Sequence, residues 1–409
     1  MRRGRPDRSN GVLILIGNLP LQVDRRVRLE CRSLIKSGFH VSVISPALHR
    51  CGRSEFEGVS IFQYPPPPKA NGVVGFAVEF IYSLVMTALF SVWVAFSRGF
   101  HVIQACNPPD TYFLLAVIWK LFGKKFVFDQ HDACPELYAS RFSRPSRLLL
   151  GGLLWLERCS YRAADHVLST NESLKVMATG RGGILESKTT IVRTGPDPQM
   201  LYRVAPDSAL RRGKRYLCTY LGVMGPQDGV DRVVRAAEVL IKEMGREDCH
   251  FAVLGFGDCL EDIRRQVSVS GLVDHVEVVG RVDDDQVREY LSITDLGVCP
   301  DPSSPHSEVS TFNKTMEYMA FGVPVVGFAL RENMVTAGDA GIFVPTDDGR
   351  GLAEALARLL DDKELRTRMG RDATTRVETT LAWAHQEPGY LKAFRDLLPA
   401  ARREGGSWG

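Results

Sequence analysis

No Cys-x-x-Cys pair occurs among the nine cysteines, and none of them clusters with histidine at the spacing of a zinc site. That pattern excludes a zinc module and a dithiol redox motif, and scattered thiols, odd in number, suit a reduced, cytosolic chain. A strong charge of either sign is also missing. Lys and Arg total 51 against 48 Asp and Glu, a net charge of +3, which is too mild to argue for a nucleic-acid partner. Gly255-Phe-Gly257 follows an apolar run but lacks the third glycine and the downstream acid of a dinucleotide fingerprint, which argues against NAD. The first residues, MRRGRPDRSNGVLILIGNLP, hold an apolar run too short for a signal peptide and no small-residue cleavage site. Gly11–Ile16 reads instead as a first buried strand behind a disordered basic tail, residues 1–10.

What is present is alternation. With 409 residues and 44% hydrophobic content the chain has the length and composition of two folded domains. VLILIG, HVSVIS, HVIQA, KFVFDQ and HVLST alternate with helical patterns, and a second series runs RYLCTYLG, HFAVLG, HVEVVG, LGVCP and PVVGF. Such alternation predicts βαβ units and parallel, doubly wound sheets, whose ligands sit at the carboxyl ends of the strands. The expected division is a first α/β domain over 11–195, a Pro-rich and charged linker over 196–215, and a second α/β domain over 216–380. A C-terminal helix and tail over 381–409 is expected to cross back to the first domain, and a cleft is expected between the two domains.

Val73–Phe96 is apolar over a membrane-spanning length, broken only by Glu79 and a few hydroxyls. Spanning would split the first domain's sheet, so a helix buried against that sheet or lying in a membrane interface is expected.

The stretch STFNKTMEYMAFGVPVV, residues 310–326, reads as a short helix, a glycine stop and an inward strand. Ser310 and Thr311 are N-cap candidates for a helix whose free N–H groups attract a diphosphate. Lys314 on its first turn is a mobile cation suited to a phosphate oxygen, and Glu317 one turn on can accept from a ribose diol. The plainer alternative is a capping box with an exposed Lys–Glu face, against which YMAFGVPVV is too apolar. Asp283-Asp284-Asp285 precedes a helix and suits its dipole better than a metal.

N-K-x-x-E-Y-M-A-x-G-x-P-V-V resembles the donor-site signature of the retaining glycosyltransferases of family 4, which have the GT-B fold: two Rossmann-like domains facing each other across a cleft. The resemblance implies a UDP- or GDP-sugar donor, retention of anomeric configuration, and no metal or other cofactor. It places Asn313, Lys314 and Glu317 on the donor, with Ser310 and Thr311. The Glu that the family usually carries eight positions before the second Glu falls here on Val309, with Glu308 displaced by one. LGVMGPQDGV keeps Gly222 and Gly229 but not the family's Arg and Lys on the diphosphate, so Lys314 and Arg281 are the candidate cations. Gly17 and Asn18 follow the first strand, beside the donor sugar or acceptor, with Arg25 opening the next helix and Asp24 as its cap or a ligand. FDQHDACPELY is similar to the family's His-Asp loop, where the His contacts the transferred sugar; this gives His131, Lys314 and Glu317 as the catalytic set. Asp132 and Asn107 fall on the acceptor side, and Glu136 either binds an acceptor hydroxyl or serves as a cap or salt bridge.

The activity implied is transfer of a sugar to a hydroxyl in polysaccharide or glycolipid assembly, on a lipid-linked or other amphiphilic acceptor. The protein is expected in the cytoplasm with peripheral inner-membrane contact through 73–96. Two other readings fit the same architecture: a sugar-nucleotide epimerase, and a non-catalytic membrane-associated scaffold.

Overall fold

All five residues of Gly11–Leu15 are buried, which a parallel strand covered by helices on both faces requires. The computed structural model describes residues 10–48, 51–67, 72–142, 144–345 and 348–398; the expected basic tail lies outside these up to residue 9. The chain forms two units, one of Met1–Ala139, Arg144–Thr194 and Gln386–Gly409, the other of Ser140–Ser143 and Gly195–His385.

The first unit holds β1 (Gly11–Leu15), β2 (His40–Pro46), β3 (Gly52–Phe56), β4 (Val59–Tyr64), β5 (Val102–Cys106), β6 (Lys125–Gln130), β7 (His166–Ser169) and β8 (Thr189–Ile191). They lie in the order β3-β4-β2-β1-β5-β6-β7-β8. Among the described residues only the β3–β4 pairing of this sheet is antiparallel. Six helices alternate with them: α1 (Arg25–Lys36), α2 (Gly72–Ser97), α3 (Phe113–Lys120), α4 (Cys134–Arg141), α5 (Arg147–Ala163) and α6 (Glu172–Thr179). Asp24 caps α1, accepting from Val27 N–H at 3.1 Å, which settles its helix-cap reading.

The strand period sorts side chains onto two faces. Leu13, Leu15, Ile103, Ala105, Phe126 and Phe128 share one core with residues of α2, α3 and α5. The intervening Gln104, Cys106 and Asp129 turn to the opposite face, where Arg26 and Glu30 of α1 meet them. The helix α2 joins β4 to β5, two strands of one sheet. Crossing a bilayer would put those strands on opposite sides, so α2 packs along the sheet.

The second unit is a wholly parallel sheet of β9 (Tyr216–Val223), β10 (Cys249–Phe256), β11 (Val276–Gly280), β12 (Leu296–Cys299), β13 (Val325–Phe328) and β14 (Gly341–Val344), ordered β11-β10-β9-β12-β13-β14. Its helices are α7 (Val230–Glu238), α8 (Leu260–Val269), α9 (Asp284–Ile293), α10 (Asn313–Ala320), α11 (Arg331–Ala337), α12 (Gly349–Asp361) and α13 (Lys363–Arg376). Asp283 and Gln286 form a reciprocal capping box at the start of α9, so this acidic run is a helix terminus. The last helix, α14 (Trp383–Leu397), returns to the first unit. There the buried Tyr390 hydroxyl donates to Gln104 Oε1 at 2.8 Å, and Phe394 meets Phe39 edge-on at 6.3 Å.

Candidate functional site

In the second unit the strand order reverses between β9 and β12, the position at which open parallel sheets take ligands. After β9 the chain turns through Gly222–Gly229, braced by Gly225 N–H donating to Asp228 Oδ2 at 2.8 Å. Gly229 has φ +65°, and a Cβ there would lie 2.4 Å from the carbonyl oxygen of Pro300. Glycine alone lets this loop close on the segment after β12.

Lys314 stands at the centre of this junction. Its Nζ lies 2.7 and 2.8 Å from the two oxygens of Asp301, 4.8 Å from the centre of the Tyr220 ring and 5.1 Å from that of Phe312. The side chain is buried, which opposes its charge, but Asp301 outweighs this and pushes its pKa above the ordinary lysine value. The mobile surface cation expected from the sequence is therefore corrected to a fixed, paired one. Burial, with Asp301 adding and Lys314 opposing, pushes Asp228 up to about 6.

The helix α10 is held from below. Tyr318 reaches between β9 and β12, accepting from Leu221 N–H at 2.8 Å, and Thr315 donates to Asn333 Oδ1 at 2.7 Å. Asn313 is exposed and Glu317 half-buried on the other side. Neither Ser310 nor Thr311 is the N-cap residue: that position is Phe312, with no side-chain cap of its own, and Ser310 donates instead to His306 O at 2.8 Å. Phe312 has no polar side chain to offer the first-turn N–H groups. Glu308 accepts from Ser303 at 2.6 Å and from Arg331 N–H at 3.4 Å. Arg281, exposed just after β11, stacks over Phe256 at 4.6 Å at the same edge of the sheet.

The first unit reverses between β1 and β5, and Gly17 follows β1 there. A Cβ on Gly17 would lie 2.5 Å from Pro109 Cδ and 2.8 Å from the Tyr112 hydroxyl. Its want of a side chain thus serves packing against the 107–112 turn, and Asn18 beside it is exposed. Asn107 is buried; its Oδ1 accepts from His131 N–H at 2.7 Å and Asp132 N–H at 3.1 Å, and its Nδ2 donates to Asp132 O at 2.8 Å. It pins the loop that carries His131.

His131 itself rests on a buried network. Its Nε2 lies 2.8 Å from Asp129 Oδ2 and 3.1 Å from Arg26 Nε. One nitrogen cannot donate and accept together. The shorter, charge-assisted contact selects the Nε2–H form, with Arg26 Nε then directed to Glu30, 3.0 Å away. Arg26 Nη2 also donates to Asp129 Oδ1 at 2.7 Å, and Gln104 to Asp129 Oδ2 at 2.8 Å. Burial would raise the Asp129 carboxyl, but Arg26 and His131 overcome it and hold it well below the usual carboxylate range. Burial and then Asp129 push Glu30 well above that range.

Sequence reasoning placed Arg25 and Arg26 at the start of α1 but took Arg25, which is only half-buried, as the site residue, and it missed the roles of Asp129, Gln104 and Asp301. The signal for Asp129 was its place two residues before His131 on an alternating strand. Glu136 is corrected as an acceptor ligand: Arg181 holds its two oxygens at 2.5 and 2.9 Å, and also bridges to the buried Glu157. This is the salt bridge of the two readings.

Cys106, Asp129 and His131 offer ligand atoms within 4.8 Å of one another. Arg26 is already seated on the same carboxylate and the same nitrogen, so a metal there would have to displace a buried, paired cation. A cavity of about 290 Å³ lies between α7 and α8, lined by Gly225, Val230, Arg232 and Gln266 among others. None of the residues proposed from the sequence lines it.

The glycosyl transferase 4-like domain family matches residues 23–193, and the glycosyl transferases group 1 family residues 215–362. Among proteins of known activity, the chain is 30% identical over 161 residues to alpha-D-kanosaminyltransferase of Streptomyces kanamyceticus, 39% of this chain and 40% of that one. It is also 30% identical over 155 residues to phosphatidyl-myo-inositol mannosyltransferase of Mycolicibacterium smegmatis, 37% of this chain and 38% of that one. The matched part is thus about two fifths of each relative's length. Sucrose-phosphate synthase from Thermosynechococcus elongatus superimposes with a TM-score of 0.76 at 19% identity, over 95% of this chain and 99% of that one. With a stretch similar to glycosyl transferase 4-like domains followed by one similar to group 1 glycosyl transferases, on two parallel, doubly wound units, the chain has the GT-B fold.

Proposed function

We propose that the chain moves a glycosyl residue from a nucleotide sugar to an acceptor hydroxyl with retention of anomeric configuration. The observation that carries this reading is the Lys314–Asp301 pair beside the first turn of α10, at the switch point of the second sheet. A diphosphate there meets N–H groups at a helix N-terminus, the exposed Arg281, and the one ammonium N–H that Asp301 does not take. Glu317 accepts from the ribose diol, and Asn313 and Glu308 lie at the same edge.

The step depends on stabilising the departing diphosphate more than on a strong base. The leaving phosphate helps to deprotonate the acceptor hydroxyl on the face it vacates, and the chemistry calls for no metal. In the first unit, His131 Nδ1 accepts from a hydroxyl of the transferred sugar, held in place by Asp129 and Arg26. Asn18, Arg25 and Asp132 shape the acceptor side. The acceptor is a lipid-linked sugar or similar amphiphile of polysaccharide or glycolipid assembly; the mannosyltransferase of M. smegmatis, whose name specifies a phosphatidylinositol, supports a lipid acceptor.

Thermal shift with a panel of UDP- and GDP-sugars tests the donor side. One of them should raise Tm through binding to the folded state. Glu317→Gln should lose that rise and the transfer, with Tm in the absence of donor unchanged. A full response in the variant, or no response to any sugar nucleotide in the parent, refutes the assignment.

A further inference from the structure

The helix α2 is built inside out. Val78, Ile81, Val85, Leu89, Val92 and Phe96 are all exposed, Phe96 at 80%, and at 100° per residue they form one stripe of about 27 Å. Ser83, Thr87 and Ser91 lie on the opposite side and are buried. Their hydroxyls meet Gly17 O, the Tyr112 hydroxyl and the Trp119 indole N–H at 3.4, 3.4 and 3.1 Å. A helix facing water carries its polar residues outward; this one carries them inward.

The inversion extends beyond α2. Leu114, Val117, Ile118 and Leu121, spaced i, i+3, i+4 and i+7 on α3 and just after it, are exposed, and Phe122 follows at 67%. On α5 the exposed positions are Arg147, Leu148, Leu149, Gly151, Gly152, Trp155, Arg158 and Arg162, an apolar stretch with arginines at both ends. These helices belong to one layer. Their inner residues share one core over the same sheet face. Trp119 of α3 bonds Ser91 of α2, and Phe113 of α3 meets Trp155 of α5 edge-on at 6.2 Å. Their outer sides therefore form a single apolar surface.

Charge around this surface is mainly positive. Residues 72–128 hold Arg98, Lys120, Lys124 and Lys125 against two acids, Glu79, which is half-buried, and Asp110, which is 4% exposed. Along α5 and its lead-in, Arg144, Arg147, Arg158 and Arg162 face only Glu157, which is buried and tied to Arg181. Lys120 and Lys125 are paired with Asp165, and Arg98 and the four arginines line the cationic rim.

We infer that the joint outer face of α2, α3 and α5 docks on a lipid bilayer with anionic headgroups, the apolar stripes entering the interface and the rim meeting the headgroups. This widens the contact expected of 73–96 to three helices, and it does not depend on the sugar-transfer reading. The chain lies on the membrane and does not cross it, since α2 connects two strands of one sheet.

The test uses the full chain without donor, by flotation with vesicles of phosphatidylcholine alone or mixed with phosphatidylglycerol. Binding should occur with the anionic vesicles, fall at high salt and be weak with the neutral ones. Trp155 fluorescence should be quenched by brominated lipid and relieved in Trp155→Phe. Leu121→Ser with Phe122→Ser, both at exposed positions, should weaken partitioning at least about tenfold with Tm unchanged. Equal binding to neutral vesicles removes the charge argument. No flotation, or a dimer in light scattering that this double variant makes monomeric, overturns the proposal in favour of a second copy. The sugar-nucleotide response, measured without lipid, fails or succeeds separately.

Discussion

Lys314 and Asp301 are buried together, and breaking such a pair from one side leaves an uncompensated charge inside the protein. Lys314→Ala is therefore expected to lose about 3–5 kcal/mol of stability in urea unfolding as well as activity. Lys314→Met with Asp301→Asn should recover most of that stability without restoring transfer. Glu317, half-buried on the outer side of the same helix, is the cleaner probe of donor binding. Asp110 behaves differently. Buried among its neighbours, it accepts from Asn107 at 2.9 Å, and burial pushes it up to about 7. The folded state thus keeps a proton that the unfolded chain gives up near pH 4. Stability from this group is full below about pH 4 and is lost as pH rises toward 7. In Asp110→Asn the difference in stability from the parent should change by up to roughly 4 kcal/mol over that window. A constant difference between pH 4 and 7.5 in thermal or urea unfolding would contradict this.

Among the elements, α14 shows how one helix holds a site it does not touch. Tyr390 donates to Gln104, Gln104 to Asp129, and Asp129 accepts from His131. Tyr390→Phe removes a donor from a buried amide oxygen and should cost about 1–2 kcal/mol. Urea unfolding measures the loss, and amide exchange should locate it in β5 and β6. The strands and most helices were legible as apolar runs with the right period, and α10 as a short helix closed by Gly322, where φ is +61°. The details that place charges were less legible. Asp301 lies 13 residues before Lys314, and nothing local marks them as partners. Arg25 and Arg26 are adjacent and identical in type, and only the position of α1 over the sheet decides which is buried. In α2 the membrane-like hydropathy hid the four-residue spacing of Ser83, Thr87 and Ser91, which was the signal of an outward apolar face.

At the level of the whole molecule, two parallel sheets each place their candidate residues at a switch point, as the alternating pattern along the chain implied. Acceptor identity was not legible, because hydroxyl recognition depends on a few polar groups with no fixed spacing. The first sheet is also not completed by the first half of the chain. Gln104 and Tyr390 are 286 positions apart, and at roughly 5–20 residues per second that separation corresponds to about fifteen seconds to a minute of translation. Throughout that interval the nascent first unit lacks its closing helix, with Gln104 still waiting for its hydroxyl partner, while the outward apolar stripes have already left the ribosome. A bilayer or a chaperone that covers those stripes during synthesis would protect the chain when it is most prone to aggregate.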